Sequence, residues 1–142
     1  MDGALYSNLA QNAAEGNHWL IPTFNQGALA EFFEHPPFIF MLHGLLMKFF
    51  GVSWTTARLL NYLIATILVL AYYINLKKIK DEQFGHLASL ILLLTVPFLK
   101  KVRFPNMDVA LTLFTTLTMM SYFRNALQPS LKGWLKTGVF LA

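Results

Sequence analysis

The sequence contains no cysteine, which excludes both disulfides and thiolate metal sites. Charge is also scarce. Only 13% of the 142 residues are Asp, Glu, Lys or Arg, whereas a soluble domain carries about 25%. Acidic charge is the scarcest, with 7 Asp and Glu against 11 Lys and Arg and a net charge of +4. Those cations are scattered between apolar runs rather than gathered on one face, so no nucleic-acid partner is expected. What the chain has in abundance is apolar: 56% of its residues are hydrophobic and the mean hydropathy is +0.49. A domain of this size exposes too much surface for such a composition to be stable in water. An ordinary soluble enzyme, a disordered tail and a disulfide-stapled module are therefore excluded, and the expected partner is membrane lipid.

Three stretches carry no charge: Leu59–Leu76 with 18 residues, Gln83–Leu99 with 17 and Val109–Phe123 with 15. A spanning helix needs about 20 apolar residues. The first two qualify directly, and the third does if Asp108 and Arg124 sit at the two interfaces. The spacing predicts an all-α, polytopic helical bundle with spans near 57–76, 84–100 and 108–125, and the start of another at 134–142. The last apolar run, Thr137–Ala142, is cut off by the end of the chain, as expected of a fragment or a truncated gene product. Ahead of Leu59, residues Ala4–Glu15 read as a short helix ended by Gly16-Asn17. Pro36–Phe50 is apolar but contains His43 and Lys48 and is followed at once by Gly51, Ser53 and Trp54. An interfacial helix is the better reading of it, with a short span as the alternative.

Charge does not orient the chain. With three spans, one side holds Lys77, Lys78, Lys80, Arg124, Lys132 and Lys136, and the other holds Lys48, Arg58, Lys100, Lys101 and Arg103. Six against five is too even for the positive-inside rule. If 77–83 is cytoplasmic, Lys100, Lys101 and Arg103 lie on the outer face, against the usual bias. Such a cluster either anchors a helix end or binds an anionic head group.

Of the carboxylates, Asp2 and Asp108 each stand at the start of a predicted helix and fall on one side of the membrane. Capping explains either one alone. Asp108, however, shares the short Phe104-Pro105-Asn106-Met107 loop with Arg103. A carboxylate in a partly dry site acts as a general base, and a neighbouring Arg or Lys holds a phosphate. Glu34-His35-Pro36-Pro37 fixes an extended backbone, in which adjacent side chains point to opposite sides and do not share a metal. His18, His43 and His86 show no ligand spacing, and Thr112, Thr115, Thr116 and Thr118 read as helix-packing residues.

Taken in order, these pieces form a pattern. They are Asp2-Gly3-Ala4-Leu5-Tyr6, Asn17-His18-Trp19-Leu20-Ile21-Pro22 and Phe33-Glu34-His35-Pro36-Pro37, then Phe50-Gly51-Val52-Ser53, Ala57-Arg58-Leu59 and Arg103-Phe104-Pro105-Asn106-Met107-Asp108. The sequence resembles the polytopic GT-C glycosyltransferases, in the group that contains protein O-mannosyltransferases and the lipid A aminoarabinose transferase. The resemblance implies that residues 1–56 form an extracytoplasmic loop with juxtamembrane helices, preceded by a first helix missing here, and that 57–142 form transmembrane helices. It implies a multi-pass protein of the inner or plasma membrane, with its site on the outer face. There the enzyme moves a sugar from a polyprenyl-phosphate donor to a lipid, glycan or protein acceptor. By analogy Asp2 and Asp108 are catalytic, while Glu34 contributes to binding substrate or a divalent metal ion. Lys100, Lys101 and Arg103 are expected to hold the donor phosphate.

Gly3 stands where the family often has Glu, and His35 where the aminoarabinose group has Lys, which argues against aminoarabinose specificity. The alternatives are a non-catalytic relative of the same fold, whose carboxylates only cap helices, and a transporter. No span carries a charge in mid-helix, which disfavours the transporter. The isolated 142-residue product is expected to be inactive. Neither the oligomeric state nor the identity of the sugar is encoded in any motif.

Overall fold

The computed structural model describes residues 2–16, 19–21 and 35–141. They form α1 (Asp2–Gly16), α2 (Phe38–Phe50), α3 (Trp54–Ile79), α4 (Glu82–Leu94), α5 (Val96–Val102), α6 (Asp108–Leu127) and α7 (Leu131–Leu141), with no strand among the described residues. The all-α expectation agrees with this. One helix, α3, is long and apolar enough to cross a bilayer; its 26 residues rise about 39 Å.

The expected second span is broken. In place of one helix over 84–100, α4 and α5 meet at 66° and qualify together only as one bent span. Pro97 is the cause, because it has no N–H and its ring would collide with the carbonyl of Leu93 in a continuous helix. The backbone turns out of the helix at Thr95 (φ −68°, ψ 117°) and resumes where Leu99 N–H donates to the Thr95 carbonyl at 3.1 Å. The third expected span, α6, has 20 residues, but Arg124 and Asn125 near its end, together with its threonines, keep it short of the hydropathy of a spanning helix. The threonines also do less between helices than their spacing suggested. Thr112 and Thr118 donate to the carbonyls of Asp108 and Phe114, four residues back on the same helix.

The chain divides into two units, Met1–Leu63 with Lys100–Met107, and Ile64–Leu99 with Asp108–Ala142. In the first unit α2 is a 13-residue helix of about 20 Å, too short to span and packed instead against α1. Pro37 precedes its first turn and accepts from Met41 N–H at 2.9 Å. Tyr6, Leu9 and Phe40 form one core cluster, and Ala10, Met47 and Ala57 form another. The helices meet at Gly44, where a Cβ would stand 2.9 Å from the Ala10 carbonyl oxygen and 3.1 Å from the Ala13 side chain. Only glycine permits that approach. Gly51 ends α2 at φ +83°, and Ser53 starts α3 by accepting from Thr56 N–H at 3.0 Å. His35 stacks on Tyr6 with ring centroids 6.0 Å apart, so the residue before the proline pair packs on α1.

In the second unit α4 returns along the end of α3. Its buried residues are Gly85 and Ser89, small side chains four apart that let helices approach closely. A Cβ on Gly85 would lie 3.1 Å from the Tyr73 carbonyl. Asp81 caps α4, accepting from Phe84 N–H at 2.7 Å. Glu82 accepts from Tyr73 Oη at 2.8 Å and from Lys77 Nζ at 3.0 Å. Helices α6 and α7 pack as a hairpin, with Tyr122 edge-on to Trp134. Ile67, Leu70, Leu87, Leu90, Ile91 and Leu111 stay exposed, as suits a lipid-facing surface.

Candidate functional site

The segment Lys100–Met107 is held by two asparagines. Asn106 Nδ2 donates to the Lys101 carbonyl at 2.6 Å and to the Phe104 carbonyl at 2.7 Å. Asn61, on α3, donates from Nδ2 to that same Phe104 carbonyl at 2.6 Å. Both asparagines are buried, Asn61 completely. A carbonyl that is taken out of water needs such donors, since leaving it unpaired costs about 1–3 kcal/mol. The Arg58 guanidinium lies between the Trp54 and Phe104 rings, 5.8 and 5.9 Å from their centroids. Phe104 also packs on Gly3, where a Cβ would come within 3.2 Å of the Phe104 Cβ. A larger residue at position 3 would press on this loop.

These contacts open a cleft of about 640 Å³. Gly3 and Ala4 of α1 and Trp54 of α3 line one part of it, and Lys100, Lys101 and Arg103 line another. Among the described residues the charged groups that line the cleft are these three cations, and all three are exposed. Their fields add in a concave site with apolar walls, so it attracts an anion.

The carboxylates are placed less completely. Asp2 opens α1 immediately before cleft-lining Gly3, but its side chain lies outside the described residues, as does the whole of Glu34. Asp108 begins α6 in the second unit and is half-buried. Among the described residues no three His, Asp or Glu side chains gather as a metal site needs.

Sequence reasoning missed Asn61 and Asn106. A lone amide inside an apolar run was the available signal for Asn61, and the Pro105-Asn106 turn for Asn106. His43, on α2, is 1% exposed. Burial lowers its pKa to about 4, against the opposing pull of the Ala57 backbone and the Asn61 side chain. At neutral pH it is therefore an uncharged packing residue behind Asn61.

A sequence profile described as dolichyl-phosphate-mannose-protein mannosyltransferase matches residues 34–142. The match includes Lys100, Lys101, Arg103 and Asp108, and starts after Asp2. Searches of curated proteins and of solved structures give no significant match.

Proposed function

Because the chain belongs to the dolichyl-phosphate-mannose-protein mannosyltransferase family of membrane glycosyltransferases, we propose that it transfers a sugar from a polyprenyl-phosphate donor to a hydroxyl group. The supporting observation is the cleft lined by Lys100, Lys101 and Arg103. A lipid monophosphate is the anion that this family would bring there. Mannose is the first sugar to test and a protein hydroxyl the first acceptor, following the family's description; lipid and glycan acceptors are the other candidates.

In this scheme an aspartate, Asp2 first and Asp108 second, takes the proton of the acceptor hydroxyl. The acceptor oxygen then bonds to the anomeric carbon as the bond from that carbon to the phosphate oxygen breaks. Polyprenyl phosphate leaves with the bonding electrons. Arg103, with Lys100 and Lys101, stabilises its added charge. The site faces outward in a multi-pass protein of the inner or plasma membrane. Glu34 and a divalent ion have no assigned step.

Membranes from cells expressing the full-length gene product should transfer mannose from polyprenyl-phosphate mannose and not from a nucleotide sugar. Neutralising all three cations (Lys100→Gln, Lys101→Gln and Arg103→Gln) should raise the donor KM about tenfold, equivalent to roughly 1.4 kcal/mol. That modest figure reflects their exposure to solvent. An unchanged KM in the triple variant would remove the cleft from the mechanism.

A further inference from the structure

The turn between α6 and α7 builds a second basic cleft, of about 230 Å³, in the second unit. Ser121, Arg124, Asn125, Gln128, Ser130 and Lys136 line it. Its frame is well defined. Asn125 is 3% exposed, and its Oδ1 accepts from Ser130 N–H at 2.9 Å. That bond fixes the other end of the amide as the nitrogen, which is buried without a partner. Gly133 belongs here because the Asn125 amide occupies the place of any side chain at that position. Ser130 in turn accepts from Gly133 N–H at 3.0 Å and starts α7.

The cleft contains two exposed cations, Arg124 and Lys136, and among the described residues of the second unit no Asp or Glu forms an ion pair with them. No Asp or Glu follows Asp108 in the sequence. The second unit contains only three carboxylates, and each lies elsewhere. Asp81 caps α4, and Glu82 is engaged by Lys77 and Tyr73. Asp108 stands at the far end of α6, 16 residues before Arg124, or about 24 Å along the helix. Two exposed cations beside hydroxyl and amide side chains make a site for an oxyanion with several acceptor oxygens.

We propose that the α6–α7 cleft binds a phosphate oxyanion, with Arg124 and Lys136 carrying the charge and Ser121 and Gln128 offering hydrogen bonds. The head group of an anionic phospholipid and free phosphate present this same chemistry. In a membrane protein the phospholipid is the abundant source. The site is independent of the sugar-transfer reading and uses none of its residues.

The test uses the full chain in nanodiscs of phosphatidylcholine containing a minor share of phosphatidylglycerol, with retained lipid identified by native mass spectrometry. The wild type should keep phosphatidylglycerol in preference to phosphatidylcholine. The variant Arg124→Gln/Lys136→Gln should reduce that retention about tenfold or more, while Lys78→Gln/Lys80→Gln keeps it. A second arm titrates inorganic phosphate into discs of phosphatidylcholine alone. Saturable binding there that needs Arg124 and Lys136, without lipid retention, identifies free phosphate as the source. Should the double variant fail to fold, Lys136→Gln alone, exposed on α7, must lower retention or phosphate binding several-fold. Equal retention in the wild type and the variants, with no phosphate binding, overturns the proposal.

Discussion

Replacing the aspartate that takes the acceptor proton by asparagine should lower sugar transfer about 10²–10⁴-fold. Asp2→Asn and Asp108→Asn are the two variants to compare, with transfer measured in membranes and folding followed by circular dichroism. The choice of asparagine separates the two roles open to each carboxylate. Asn caps a helix about as well as Asp, so a purely capping residue tolerates the change with transfer intact. A general base does not, because the amide cannot accept the proton. Asp108 begins α6 and is half-buried, which limits the water competing for its oxygens. Full activity in both variants would strip both aspartates of the catalytic role, whereas no transfer by the wild type itself would favour the non-catalytic relative.

Acid should destabilise the first unit through His43. Its pKa is about 4 in the folded chain and near 6.5 when the chain unfolds. Above pH 6.5 both states are neutral and the histidine adds no pH dependence. As pH falls from about 6.5 toward 4, the unfolded chain gains a proton that the folded chain refuses, so stability drops. The full effect is about 3 kcal/mol, reached near pH 4. Melting temperatures of the detergent-solubilised protein should stay level above pH 6.5 and then fall, while His43→Gln removes most of the slope. A variant with the same acid slope as the wild type would show that other groups carry it.

The parts of this molecule legible in its sequence were local ones. Lys100, Lys101 and Arg103 stand together in the chain, so their cluster could be read directly. Pro36-Pro37 marked the start of α2, and Gly51 with Ser53 marked the change to α3. The break between α4 and α5 was equally local, yet counting uncharged residues over Gln83–Leu99 hid Pro97, whose missing N–H ends a helix whatever the hydropathy. What could not be read was long-range. Nothing near Phe104 announces that Asn61, 43 residues earlier, donates to its carbonyl. Nor does anything announce that Gly3 and Trp54 complete the cleft. Gly44 is similar: its meaning appears only when α1 brings Ala10 and Ala13 against it. The threonines of α6 misled for a physical reason, since a hydroxyl in an apolar setting can satisfy itself on the carbonyl one turn back.

The most direct measurement is the affinity of this chain, held in nanodiscs, for polyprenyl monophosphate compared with the uncharged polyprenol. The account predicts saturable binding of the phosphate, weakened about tenfold when Lys100, Lys101 and Arg103 are all changed to glutamine, and no such binding of the alcohol. Equal binding of the two lipids, unaltered in the triple variant, would contradict it.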